Sequence, residues 1–203
     1  MYAWNKDSYL RTNPAADEAE IRRIVAQLRS SHLNPVTLAN LVELGYECCL
    51  QSGELIGLSV GDAFLYRSWT VRDNMRVSER VIDLSNEAKR IVQCQVNCLK
   101  TNHFSLKGSS PLFADRKGKK YHQRVLRDQL KESCSGGFVR LGLIRQSGIC
   151  RYYEALKSTG VSPRPCLNRT AEFAGMSVKQ SLFPIVKKIV RTRFIFITKN
   201  SDY

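Results

Sequence analysis

The residues of this chain whose types and spacing could do chemistry are mainly cations. Residues 116–127, RKGKKYHQRVLR, hold six lysines and arginines and no acid. Guanidinium and ammonium groups at this density attract phosphate oxygens, and such binding weakens as salt rises. The whole chain carries 32 basic and 18 acidic residues, a formal net charge of +14. Nucleic acid is therefore the predicted partner, and a merely solvated basic surface is the alternative. An anionic membrane is disfavoured because the basic residues are spread along the chain.

The seven cysteines predict neither a disulfide framework nor a metal site. They are odd in number and include no Cys-x2-Cys pair. Cys94 and Cys98 fall on one predicted helix, so zinc held by these two and His103 is the weaker alternative. We expect reduced, mostly buried thiols and predict no metal and no other cofactor.

The length of 203 residues and the hydrophobic content of 43% suit one globular domain with a tail. We predict a single domain over residues 1–182 and a tail over 183–203. No apolar run is long enough to span a membrane, and the N-terminus lacks the order of a signal peptide. The expected location is the cytoplasm, in association with the nucleoid.

The elements that must position these cations are mostly helices. Apolar residues recur at helical spacing after starts at Thr12-Asn13-Pro14 and Asn34-Pro35. Aromatic and β-branched residues predict a hairpin, with a turn at Arg72-Asp73-Asn74. The fold class predicted is mainly α with a small antiparallel β-sheet (α+β). The other predicted elements are strands Ala63–Val71, Ser78–Leu84 and Arg191–Thr198, helices Ser85–Leu99, Leu141–Thr159 and Leu167–Ala174, a helix ending near Ser133, and a loop at Gly160–Pro165.

Five stretches in order resemble the catalytic domain of the tyrosine recombinases, the phage-integrase family. The first, within Leu41–Ala63, fits the family pattern G-L-R-x-S-E-L-x-x-L-x-x-x-D through Leu50, Glu54, Leu55, Leu58 and Asp62. The others are Ser78–Leu84, similar to K-E-R-x-V-P-L; Pro111–Lys119, similar to L-F-x-x-R-x-G-K; and Leu143-Ile144-Arg145 with Ala174-Gly175-Met176-Ser177, similar to the H-x-L-R-H and L-G-H-S boxes. The resemblance spans about residues 18–181 and implies that family's catalytic-domain fold.

The resemblance also implies that most of the catalytic set is replaced. The first arginine, which grips the scissile phosphate in the family, is Gln51, and the box histidine is Gly142. The hairpin lysine falls on Met75, the L-G-H-S histidine on Met176, and the nucleophilic tyrosine near Phe183 and Pro184. Arg145 matches the second arginine, with Arg151 as the alternative. Cleavage needs a nucleophile and cationic donors around the phosphate, so we predict no catalytic residues.

What remains is predicted to bind double-stranded DNA. Arg145 would hold a phosphate, or else be a core arginine paired with a carboxylate. Trp69 and Phe64 are expected in the core, and Tyr152 and Tyr153 are expected to pack. The other predicted DNA contacts are Arg72 and Arg76 on the hairpin, Lys117, Lys119, Lys120, Arg124 and Arg127 on the phosphate backbone, and His122, Gln123 and Arg124 as readers of bases.

The predicted function is therefore an inactive, recombinase-like DNA-binding protein that serves as an accessory or regulatory factor in recombination, transcription or mobile-element maintenance. One alternative is an active recombinase or relaxase-like enzyme with a displaced tyrosine, such as Tyr152, Tyr153 or Tyr203. The other is a basic protein that coats nucleic acid. The tail could pair by its strand Arg193–Thr198 with another subunit, giving a homo-oligomer. The short segment before Glu18 leads us to expect modest specificity, or specificity supplied by a protein partner.

Overall fold

Eight helices and one two-stranded sheet make up the described part of the chain. The computed structural model describes residues 17–65, 68–72, 79–134 and 139–176. The helices are α1 (Glu18–Arg29), α2 (Pro35–Glu47), α3 (Ser52–Gly57), α4 (Val60–Ala63), α5 (Asn86–Thr101), α6 (Gln123–Ser133), α7 (Leu141–Ser158) and α8 (Pro163–Ala174). The strands are β1 (Ser68–Arg72) and β2 (Glu79–Asp83). This content confirms the predicted fold class.

Local signals in the sequence explain where several helices begin. The Asp17 side chain accepts a hydrogen bond from the Glu20 N–H at the start of α1, and the Ser85 hydroxyl accepts one from the Ala88 N–H at the start of α5. Both satisfy N–H groups that a helix leaves without an internal partner. Proline occupies the first turn of α2 and α8, where its missing N–H is harmless.

The antiparallel sheet pairs Ser68 with Asp83 and Arg72 with Glu79. The predicted strand Ala63–Val71 was too long at its start, because Ala63 ends helix α4. Phe64 was expected in the core but is 50% exposed, whereas Trp69 is 1% exposed as predicted. The Trp69 indole N–H donates to the Asp62 carbonyl at 2.8 Å, which satisfies its polar atom inside the core.

Helix α2 lies at the centre of the fold and packs against α1, α5 and α7. Its side chains Leu38, Leu41 and Leu44 are fully buried. A second, smaller apolar cluster joins α7 and α8 through Ile149, Tyr153, Cys166 and their neighbours. The predicted loop Gly160–Pro165 was wrong in its second half, because α8 already begins at Pro163.

All seven cysteines are free thiols, five of them buried. Burial raises the pKa of Cys49 to about 12 and raises that of Cys48 as well. Across the described residues no group of three or more His, Cys, Asp or Glu side chains could hold a metal ion. No helix among those residues is long and apolar enough to cross a membrane.

Candidate nucleic-acid interface

A sharp turn joins α2 to α3 and sets the position of Gln51. Cys49, buried in this turn, has a φ of +53°, a left-handed conformation that costs a non-glycine residue roughly 1–2 kcal/mol. Leu50 follows it into the core, and Gln51 caps the N-terminus of α3. The Glu54 carboxylate accepts a hydrogen bond from the Gln51 N–H at 2.6 Å. The turn therefore fixes Gln51 at the N-terminus of α3.

Arg145 connects this turn to the end of α8. It lies near the N-terminus of α7 and is partly buried. Its Nε donates to the Cys49 carbonyl at 2.9 Å, and a terminal nitrogen donates to the Ala174 carbonyl at 2.5 Å. Both of these acceptors are backbone carbonyl oxygens. The contacts show a guanidinium that already bridges two backbone segments.

Arg80, on β2, also contacts the Cys49 turn and the end of α8. Its guanidinium makes a forked pair with the Glu54 carboxylate, at 3.2 and 2.8 Å. It also donates to the carbonyls of Cys49 and Phe173. The side chains of Arg80 and Glu54 are only 9% and 5% exposed. We call this arrangement the arginine hub: it consists of Arg80, Arg145, Glu54 and the carbonyls of Cys49, Phe173 and Ala174.

The hub brings together motif positions that lie far apart in the sequence. Gln51 follows Cys49 by two residues, and Met176 follows Ala174 by two. Met176 packs on the apolar cluster that contains Cys49. Gly142 lies one helical turn before Arg145 and lines the same groove as Ser52, the residue after Gln51. Met75, Phe183 and Pro184, the other positions of the predicted set, lie outside the described residues.

Tyr152 and Tyr153 are packed, as the sequence predicted. The Tyr152 ring stacks on Phe173 with 4.1 Å between centroids, and Tyr153 is 8% exposed. Burial raises the pKa of both phenols, which disfavours the phenolate that a nucleophile needs. Tyr203 lies outside the described residues.

A tight hairpin at residues 114–120, distinct from the β1–β2 hairpin, presents the lysines of the basic run. One Asp115 carboxylate oxygen accepts from the N–H groups of Lys117 and Lys119, both at 2.8 Å. Ala114 and Lys120 pair as an isolated bridge, and Gly118 takes the positive φ of +73° that the reversal requires. The ammonium groups of Lys117, Lys119 and Lys120 sit on exposed residues. Among the described residues, none of the three forms an ion pair within 4.0 Å.

Helix α6 continues this basic surface. His122 is its N-cap, and its Nδ1 accepts from the Arg124 N–H at 3.3 Å. Gln123, Arg124 and Arg127 are exposed. Arg124 and Arg127 approach one carboxylate, Asp128, at 4.0 and 3.7 Å. Two cations therefore share one exposed anion, and positive charge remains in excess.

Helices α1 and α5 carry several close ion pairs. Arg22 pairs with Glu18, Arg23 with Glu20, and Arg90 with Glu87, all at 2.5–2.7 Å. These residues lie on α1 and α5. The hairpin and α6, residues 114–133, carry seven basic and three acidic residues. This excess favours them as a surface for a polyanion.

The predicted DNA contacts fall into three groups. Lys117, Lys119, Lys120, His122, Gln123, Arg124 and Arg127 form the continuous surface just described. Arg145 lies in the hub. Arg72 ends β1, and Arg76 lies outside the described residues, so the contacts of both stay predictions. Arg140 and Ser52, which line a groove beside α6, were not among the predicted contacts. The only sequence signal for Arg140 is that it precedes Arg145 by five residues.

This arrangement of helices and hairpin occurs in known proteins. The XerH site-specific recombinase, crystallised bound to a palindromic difH substrate, superposes with a TM-score of 0.66 at 14% identity, covering 98% of this chain and 56% of that one. The fold is that of the tyrosine recombinases. XerA recombinase gives a TM-score of 0.63 at 14% identity, over 91% of this chain and 64% of that chain. The Tn1549 transposon integrase, bound to transposon right-end DNA, gives 0.59 at 15% identity, over 93% and 68%.

These likenesses confirm the recombinase-like fold that the five motifs implied. At 14–15% identity they show the fold alone. The chain spans somewhat more than half the length of the XerH and XerA chains. No family model and no curated protein matches it.

Proposed function

We propose that this chain binds double-stranded DNA through the hairpin and α6 without cleaving it, as an accessory or regulatory factor in recombination, transcription or mobile-element maintenance. The observation that carries the proposal is the charged surface from Lys117 to Arg127. It lies on a recombinase-like fold and contains five lysines and arginines and no acid. Its place of action would be the cytoplasm, beside the nucleoid.

The absence of cleavage rests on the residues at the motif positions. Gln51 can donate a hydrogen bond to a phosphate, but it carries no charge and cannot make a forked guanidinium contact. Gly142 and Met176 offer neither a donor nor a proton. Tyr152 and Tyr153 are packed phenols with raised pKa values. Arg145 alone would not orient a phosphate well enough for in-line attack.

Two contributions to DNA binding follow from the geometry. Lys117, Lys119 and Lys120 would contact backbone phosphates as exposed point charges, with affinity but little sequence preference. Gln123 and Arg124, in the first turn of α6, would reach base edges if this helix enters a major groove. His122 would contribute less than expected from sequence, because its Nδ1 already caps the helix.

The experiment that tests the proposal incubates the pure protein with end-labelled genomic fragments and resolves them natively and after SDS. The expected result is a shift that disappears as salt rises, with no SDS-resistant adduct. An adduct would show that a tyrosine is active, and Phe substitutions at Tyr152, Tyr153 and Tyr203 would identify it. No shift at low salt would refute DNA binding.

A further inference from the structure

An open groove of about 600 Å³ runs between α3, α6 and the N-terminus of α7. Its floor is apolar and consists of Ile56, Leu126, Leu130 and Val139, each 1–5% exposed. Its rim carries three guanidinium groups, those of Arg124, Arg127 and Arg140. The volume lies in the range of roughly 300–1,000 Å³ that binding clefts occupy. The groove therefore offers an apolar surface framed by positive charge.

This chemistry fits a peptide better than a nucleic-acid strand. A phosphodiester backbone gains little from an apolar floor, because its oxygens need donors along their whole length. An unstacked base is usually held on a Phe, Tyr or Trp ring, and none of the twelve lining residues has one. Apolar side chains in a helical groove, with arginines beside it, are instead typical of sites for amphipathic acidic peptides.

The charge of the rim favours carboxylates in particular. Arg124 and Arg127 approach a single acid, Asp128, at 4.0 and 3.7 Å, and both of these arginines are 60% or more exposed. Such loose, exposed pairs contribute little and can be exchanged for a better ligand. A forked carboxylate on an arginine is a stronger, better oriented contact.

We propose that this groove binds an acidic, amphipathic peptide segment of a partner protein, with apolar side chains on the floor and Asp or Glu side chains on the arginines. From Gln123 to Leu130 the α6 wall spans roughly 10 Å, which accommodates about two turns of a bound helix. Two apolar anchors one turn apart would fill it.

The peptide also regulates DNA binding in this proposal, and this part rests on the proposed function. Arg124 and Arg127 belong both to the groove rim and to the predicted DNA surface. One guanidinium cannot hold a phosphate and a carboxylate at full strength, so peptide and duplex compete. A partner carrying such a segment would release the protein from DNA.

The test selects a library of random twelve-residue peptides, displayed on phage, against the full-length protein. Two glycines allow a matched comparison, because an added Cβ at either Gly142 or Gly57 meets nothing within 4 Å. Gly142 lines the groove and Gly57 does not. Gly142→Phe fills the groove, and Gly57→Phe places the same ring on the surface. Ser52→Trp, also at the groove, is a second filling variant if Gly142→Phe does not fold.

The expected peptides carry apolar residues at helical spacing together with Asp or Glu. Their affinity should fall at least tenfold for Gly142→Phe and change less than twofold for Gly57→Phe. Peptides without acidic residues, or equal affinity for both variants, would overturn the proposal. A separate arm adds unlabelled duplex to the bound, labelled peptide. If the protein binds duplex but the peptide is not displaced, competition is wrong. If the protein binds no duplex, the proposed function fails, and the glycine comparison alone decides whether the groove binds peptide.

Discussion

At the scale of single residues, Arg80 is held in place by its charge partner and two carbonyls. The forked pair with Glu54 is almost completely shielded from water. Glu54 in turn accepts the Gln51 N–H, so the pair fixes the N-terminus of α3. A buried ion pair of this kind contributes less to net stability than to position, because desolvation offsets much of its attraction. Removing one partner, however, leaves a buried charge.

We predict that Arg80→Met lowers the free energy of unfolding by about 3–5 kcal/mol, because the buried Glu54 carboxyl would lose its partner. Arg90→Met is the matched control, since the pair of Arg90 and Glu87 is more than half exposed. It should cost less than about 1 kcal/mol. Urea unfolding followed by circular dichroism measures both. Similar losses in the two variants would contradict the assigned role of Arg80.

A second prediction at this scale concerns the buried thiols. Burial raises the pKa of Cys49 from 9.0 to about 12 and raises that of Cys48, so the folded state keeps both protons where the unfolded state loses them. At pH 7 both states are protonated and the thiols contribute no pH dependence. Stability should therefore fall as the pH rises above about 9. Urea midpoints at pH 7.5, 8.5 and 9.5 test this.

The control for the thiol prediction is Cys48→Ala, which removes one titrating group. Its stability should fall less steeply over the same pH range. An aromatic disulfide reagent should leave Cys48 and Cys49 unmodified in the native protein, because only an accessible thiolate reacts. Rapid modification of both thiols in the native protein would contradict this prediction.

At the scale of elements, the contact between α2 and α7 sets the distance between the Gln51 turn and Arg145. Gly148 lies at the closest approach, where an added Cβ would come within 2.0 Å of the Tyr46 carbonyl oxygen. The two backbones pack this closely only because the residue has no side chain. Gly142, on the same helix, lies in open space.

Gly148→Ala should therefore destabilise the protein by about 3 kcal/mol or more, because α2 and α7 must separate. Gly142→Ala should stabilise it by up to about 1 kcal/mol, the ordinary gain of alanine over glycine in a helix. Thermal unfolding of the two variants gives the comparison. A neutral Gly148→Ala would mean that the two helices can shift apart without cost.

At the scale of the whole molecule, the distribution of charge matters more than its sum. The acids of α1 and α5 pair with nearby arginines, whereas the hairpin lysines are exposed and form no ion pair among the described residues. If DNA binds to the hairpin and α6, equal changes in net charge there and on α1 and α5 should have unequal effects.

We predict that the triple variant Lys117→Gln, Lys119→Gln and Lys120→Gln makes the plot of log affinity against log salt less steep. The magnitude of its negative slope should fall by about 2–3, roughly 0.9 for each lost phosphate contact. The matched triple Arg22→Gln, Arg23→Gln and Arg90→Gln removes the same charge and should leave the slope nearly unchanged. Fluorescence anisotropy with a labelled duplex at several salt concentrations measures both. Equal slopes for the two triples would show that net charge, and not this surface, governs binding.

The sequence by itself determined the elements that follow from local chemistry. The helix start at Asn34-Pro35, the amphipathic α5 and the order of the β1–β2 hairpin follow from residue type and spacing, and five short motifs sufficed to predict the recombinase-like fold. The helix start predicted at Thr12-Asn13-Pro14 lies outside the described residues. The sequence also identified the basic run, because a cluster of lysines without acids is visible in one dimension. It was wrong at Phe64, an aromatic residue predicted in the core, and at Pro163, where two prolines indicated a loop. At both places the neighbouring helix determined the local structure.

Only the tertiary structure decided what residues far apart in the chain do together. The acceptors of Arg80 and Arg145 come from two segments far apart in the chain, residues 49–54 and the end of α8, and backbone carbonyls have no signature in the sequence. The groove likewise exists only where α3, α6 and α7 meet. Motif spacing reports what one segment can form. Which charges are satisfied, and which remain for a ligand, depends on the packing of all the segments together.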